Sequence, residues 1–148
     1  MNIRLGQIAD IPWLLELGDR AQREAPNYAQ LHGDVSTRYK RLVLLLQSPT
    51  LVHIAVCDDQ SGFICGAVEP SIWFEEAFAS VNLLYVVPEK RSTSRAWRLL
   101  ASFEQWGKAL GAAGCLTNVT SGVQEELTAR FYRKMGYQPQ GLCFYKEF

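Results

Sequence analysis

Apolar residues recur along this chain with two different periods, and the changes between them mark out its elements. Residues 2–6 carry a short strand pattern. Ile11, Leu14, Leu15, Ala21 and Ala25 then return at helical spacing. Asp10 stands where an N-cap belongs, and Pro12 is tolerated in a first turn. Pro26 stops that helix, and a polar loop follows over 27–34. A second helix from about residue 35 puts Tyr39, Leu42, Val43 and Leu46 on its inner stripe, and Pro49 ends it. Residues 51–57 are apolar and β-branched, Asp58 to Gly62 is a turn, and Phe63 to Val68 returns as the second strand of a hairpin. Residues 79–87 give another strand. Ala96, Leu99, Leu100, Phe103, Trp106 and Leu110 share one side of the next helix, which Gly111 is placed to end. Cys115 to Thr120 reads as a short strand, and Ser121 to Gln124 has capping-box spacing. Leu127, Phe131 and Met135 continue a helical stripe up to Gly136. Tyr137 to Phe148 supplies a final hairpin, turning near Pro139-Gln140-Gly141. The order β-α-α-β-β-β-α-β-α-β-β predicts one three-layer α/β domain over residues 1–148 around a mixed sheet.

Composition narrows the class. Hydrophobic residues make up 48% of the 148 residues, enough for a substantial core. Fifteen basic residues balance fifteen acidic ones, so no global field draws the chain to nucleic acid, although Arg38, Lys40 and Arg41 form a local basic patch. No apolar run has bilayer-spanning length, and Met1 to Leu5 do not open a signal-peptide core. The expected location is the cytoplasm. Cys57, Cys65, Cys115 and Cys143 are widely spaced and form no CxxC pair, and only two histidines are present. No structural metal is expected, and each cysteine reads as a small core residue without a disulfide.

Two segments carry candidate chemistry. In the first, an apolar strand reaches Leu84-Tyr85-Val86-Val87 and stops at Pro88. A basic, hydroxyl-rich turn follows and an amphipathic helix starts at once. Backbone N–H groups at a helix start have no internal partner, and the dipole there favours negative charge, so this layout suits a pyrophosphate. Arg91 and Arg95 can add charge-assisted bonds. The second segment is Ala129 to Tyr137, where Phe131 points toward the core and Tyr132 sits one step round the helix. Trp13, Trp97 and Trp106 read as packing residues. Trp73-Phe74 reads equally as core or as a contact, either over a groove or between two copies of the chain. His53 alternates with strand core positions and reads as structural.

With both segments in view the chain resembles the GCN5-related N-acetyltransferase (GNAT) family. The resemblance is sharpest at residues 83–107 and 129–137, and it is closest to small acetyltransferase-like proteins of bacteriophages and prophages. It implies the acyl-CoA N-acyltransferase fold, with a mixed, mainly antiparallel sheet. It implies acetyl coenzyme A as cosubstrate, with no metal, and an amine acceptor that attacks the thioester directly. Leu84, Tyr85 and Val86 match the strand beside the pantetheine arm. Arg91, Ser92, Thr93, Ser94, Arg95 and Ala96 match the turn that clasps the pyrophosphate, with serine at positions 92 and 94 where the family favours glycine. Tyr132 matches the tyrosine facing the coenzyme sulfur, a general acid toward the leaving thiolate. The strand at 115–120 should then be central, beside residues 80–87, and should diverge from it toward the C-terminal ends. The asparagine common three residues before Ala129 is Glu126 here. The strand carboxylate of many relatives is missing from Asn82-Leu83-Leu84-Tyr85, leaving Glu75 and Glu76 as the nearest acidic residues. Tyr28 and His32 fall in the loop that borders the acceptor groove. Two alternatives stand beside this enzyme: a noncatalytic module of the same fold that binds acyl coenzyme A or a partner, and a phage-type enzyme modifying nucleic acid bases, which the neutral charge disfavours.

Overall fold

The computed structural model describes residues 1–148. Five strands lie in chain order across one sheet: β1 (Ile3–Leu5), β2 (Val52–Cys57), β3 (Gly62–Pro70), β4 (Ala77–Val86) and β5 (Gly114–Leu116). The first four are antiparallel to their neighbours, and β5 joins β4 in parallel. The helices are α1 (Ile11–Glu24), α2 (Val35–Leu46), α3 (Arg95–Ala109) and α4 (Glu125–Lys134). α3 supplies the crossover that lets β5 lie parallel to β4.

Strand alternation assigns the two faces. Ala55, Cys57 and Ile64 pack with Leu99, Leu100 and Phe103 of α3. Ile54, Val56 and Phe63 point the other way, onto Leu14 and Leu17 of α1 with Leu42 and Leu46 of α2 alongside. The result is the expected three layers. Gly66 permits the close approach of α3, because a Cβ there would strike Ser80 O and the Phe103 ring. His53 is buried beneath the same helix, between Phe103 and Trp106, with Nε2 3.1 Å from Ser102 Oγ. Burial lowers its pKa to about 4.

Several local expectations give way to tertiary contacts. Asp10 does not cap α1 with its side chain; it accepts from Arg4 at 2.7 and 2.8 Å, from Gln7 N–H and from Trp13 Nε1. Arg4 chiefly holds its carboxyl below the usual range. The Ser121 capping box is absent, since α4 begins at Glu125 behind Gln124, whose φ is +42°. α2 has no fully buried residue, and Tyr39 is exposed. Trp97 is exposed, being out of phase with the Leu99–Leu100–Phe103 stripe, and Leu110 and Leu127 are exposed as well. Tyr132 is the buried aromatic of α4, and Phe131 packs half-buried against the same core cluster. No hairpin forms over 137–148, where Leu142, Cys143, Phe144 and Phe148 are exposed. With that hairpin absent, β5 is an edge strand rather than a central one, and Cys143 is not a core residue. Trp73 is 82% exposed, with Ile72 and Phe74 beside it. No helix is long and apolar enough to cross a membrane.

Candidate active site

The cleft begins with a fault in the sheet. Along β3 and β4, Gly66 pairs with Val81 while its neighbour Cys65 pairs with Leu83, so Asn82 is an extra residue with no partner. Such a bulge bends its strand and increases local twist. Its signature appears in the packing: Ala79 and Val81 face α3 before it, and Leu84 and Val86 face the same cluster after it. The ladder with β5 ends at Ser80–Leu116, just short of the bulge. Beyond that point β4 and the chain after β5 separate, as the family resemblance implies. The β4 edge away from β3 then has no strand partner, and main-chain groups on it face open space.

That space is a cleft of about 360 Å³. Val81 to Val86 line one wall, and Thr117 to Ser121 the other. Ala21, Glu24 and Tyr28 border it from the α1 side, and Tyr132 lies among its lining residues. The far wall is tied to the end of α1. Asn27 Nδ2 donates to Thr120 O at 2.8 Å, Asn27 N–H donates to Ser121 O, and the Tyr28 and Thr120 hydroxyls are hydrogen-bonded. Gly122, at φ +80°, is required here, since a Cβ would meet the Pro26 ring. His32 is exposed and does not line the cleft. Glu75 and Glu76 are exposed too, away from the lining.

Tyr132 is nearly buried, its ring 5.3 Å from that of Phe131 and 5.5 Å from that of Tyr137. Burial raises its pKa, so the phenol keeps its proton at neutral pH and can donate it. Tyr137 closes the end of α4, donating its hydroxyl to Glu104 Oε1 at 2.9 Å.

The predicted site residues divide. Leu84, Tyr85, Val86, Arg91 and Tyr132 line one cleft. Ser92, Thr93, Ser94, Arg95 and Ala96 lie outside its lining, at the start of α3. There Arg98 N–H makes the first helical bond, to Ser94 O at 2.9 Å, and Arg95 N–H donates to Thr93 Oγ1 at 3.5 Å, leaving the N–H groups of Ser92, Thr93, Ser94 and Ala96 for an outside acceptor. Arg95 is drawn back to the β2–β3 turn, donating to Ser61 Oγ at 2.7 Å and to Asp59. Burial alone would raise the Asp59 carboxyl, but bonds from Ser61 and Arg95 outweigh it and hold the pKa at about 2. Arg91 turns instead into the cleft. Its Nε donates to Val86 O at 2.9 Å, and its guanidinium pairs with Glu24. Tyr85 OH donates to the other Glu24 oxygen at 2.6 Å. Burial first, and then this bond, raise the Tyr85 pKa to about 12.

Glu24 is the cleft residue that sequence reading missed. It is the one acidic side chain in the lining, as Arg91 is the one basic one. The signal was present: Leu14, Leu17, Ala21 and Glu24 follow helical spacing, so a carboxylate stands on an otherwise apolar stripe.

The layers, the bulged and splayed β4 and the crossover through α3 make this the GNAT acyl-CoA N-acyltransferase fold. No family model matches the sequence, and no curated protein matches it. Solved structures do match its shape. A putative acetyltransferase from Agrobacterium tumefaciens superposes with a TM-score of 0.79 at 14% identity, over 100% of both chains. Glucosamine-6-phosphate N-acetyltransferase from Arabidopsis thaliana gives 0.78 at 13% identity, covering 99% of this chain and 97% of its own. AAC(6')-Iy, solved with the bisubstrate analogue CoA-S-monomethyl-acetylneamine, gives 0.77 at 18%, with the same coverage. At these identities the likeness is one of fold.

Proposed function

We propose that this chain is an acetyl-coenzyme-A-dependent N-acetyltransferase acting on an amine. The observation that carries the reading is the cleft between β4 and the chain after β5, with an unpaired β4 edge along one wall and a protonated tyrosine in its lining. The pantetheine arm of the cosubstrate carries amides, which such an edge can pair as it would another strand. Leu84, Tyr85 and Val86 are the residues for that contact. Arg91 and the free N–H groups of Ser92, Thr93, Ser94 and Ala96 suit the pyrophosphate. A neutral amine nitrogen bonds to the thioester carbonyl carbon, the C–S bond breaks, and Tyr132 gives its phenolic proton to the departing sulfur. The amine nitrogen then sheds a proton to solvent, and solvent returns one to the Tyr132 phenolate.

The domain works as one unit over 1–148, in the cytoplasm. The narrower likeness to bacteriophage and prophage proteins belongs to the same reading, with Trp73 and Phe74 as its candidate contact between copies. The test is calorimetry with acetyl coenzyme A, together with thiol release across amines, peptides and nucleic acid. Arg91→Ala should weaken coenzyme binding by roughly 1–2 kcal/mol, the value of a charged hydrogen bond reduced by solvent screening. Arg133→Ala, on the exposed side of α4, should leave it unchanged. No binding by the wild type at millimolar ligand would sink the proposal. Two observations favour the noncatalytic alternative: Arg91 is engaged by Glu24, and serines stand at 92 and 94. Binding without thiol release on any acceptor would select it.

A further inference from the structure

The Arg91–Glu24 pair joins two halves of the cleft that the chain keeps 67 residues apart. Arg91 follows β4, on the side assigned to the coenzyme. Glu24 ends α1, on the side bordered by Tyr28. The pair is not a surface accident, since both side chains line the cleft and about a third or less of each is exposed. Glu24 is held at both oxygens, by Arg91 on one and Tyr85 on the other. The Tyr85 bond comes from a buried phenol on a packed strand. Arg91 instead sits on a turn, with its remaining contacts to Val86 O and the Tyr85 ring face. Of the two partners of Glu24, the arginine is the one free to leave.

We propose that Glu24 is the acceptor-side carboxylate of this site, masked by Arg91 until a coenzyme pyrophosphate takes the guanidinium. A diphosphate offers more charge and more acceptor oxygens than one carboxylate, so it wins the arginine. Glu24 then keeps Tyr85 on one oxygen and presents the other, uncompensated, to the cleft. A half-buried carboxylate without its cation seeks another, and the ammonium form of a primary amine supplies it, giving one proton to solvent before its neutral nitrogen attacks. The exchange selects cationic amines and makes their binding follow that of the coenzyme. It rests on the assignment of the coenzyme to this cleft.

The exchange makes an unusual demand on affinity. Since binding must first break the Arg91–Glu24 pair, removing the carboxylate should help the coenzyme. Calorimetry with coenzyme A should show Glu24→Gln binding roughly three- to fivefold tighter than wild type, the scale of a partly exposed ion pair. The glutamine still accepts from Tyr85. Arg91→Ala should bind more weakly, and Glu24→Gln should then add nothing to Arg91→Ala. Adenosine 3',5'-diphosphate, which lacks the pyrophosphate linkage, should bind Glu24→Gln and wild type alike. Butylammonium, followed by amide NMR at the end of α1, should perturb wild type only when coenzyme A is present, and Glu24→Gln in neither state. Unchanged or weaker coenzyme A binding in Glu24→Gln, a gain that persists in the Arg91→Ala background, an equal gain for adenosine 3',5'-diphosphate, or butylammonium shifts without coenzyme A would each overturn the exchange. Failure of coenzyme A to bind wild type and every variant would instead reject the coenzyme assignment, and the exchange with it.

Discussion

β4 runs for ten residues into α3, whose Leu99, Leu100 and Phe103 are fully buried; β5 runs for three into α4, which buries Tyr132 alone. Both are strand–turn–helix corners, and both border the cleft. The first is fixed by core packing and by Arg95 reaching back to Asp59 and Ser61. The second is held from outside, by Asn27 and Tyr28 gripping Thr120 and Ser121. The difference teaches how the site divides its labour. One wall is part of the core and keeps its shape whatever binds. The other depends on loop contacts, which open at lower free energy than core elements do.

The contrast breaks most readily in the core. Phe103→Ala should cost about 3–5 kcal/mol in chemical denaturation, because it empties a buried ring site between α3 and the sheet. A loss below about 1 kcal/mol would mean that α3 is not the fixed element described. The same region should respond to acid. His53 is buried neutral with its pKa lowered from 6.5 to about 4, so the folded state resists protonation that the unfolded chain accepts. Its contribution is intact above pH 6.5 and drains away as the pH falls toward 4, by up to about 3 kcal/mol. Comparing denaturation midpoints of wild type and His53→Leu from pH 7 to 4 checks this, since the variant should lose that part of the slope.

The second corner should matter to chemistry more than to stability. Tyr132→Phe keeps the ring and removes the proton. It should lower single-turnover acyl transfer by roughly ten- to several hundred-fold at saturating coenzyme, with coenzyme affinity preserved. An unchanged chemical rate would strip Tyr132 of its role. Leu127→Ala, on the exposed side of α4, is the smallest case. It should shift stability by no more than about 0.5 kcal/mol, although Leu127 looked like a stripe residue.

What was legible in the sequence follows the same divide. The stripe of α3 and the strand before it could be read because their periods answer to one continuous core. The second corner could not be read so well. Leu142 and Phe144 alternate as strand residues do, yet nothing in the described chain pairs with them, and strand formation depends on partners more than on local preference. Asp10 has the right chemistry and place for a cap, but Arg4 supplies a stronger partner. Tyr132 could be picked out only by its resemblance to a family tyrosine, since the wheel of α4 put Phe131 inward. Arg91 stood in a readable turn, whereas its partner Glu24 is a contact that no local window contains.

Asn82 carries a consequence for how this chain could change over evolutionary time. It is the extra residue of the bulge, so a single-codon deletion there would join Val81 to Leu83 in a regular ladder and leave the register downstream intact. Leu84 and Val86 would still face α3 and Tyr85 would still face Glu24; what would go is the local bend and extra twist. Point substitutions could retune the wall of the cleft one side chain at a time. The rest of the strand is less forgiving, since losing Leu84 would turn Tyr85 toward α3 and Val86 toward α1.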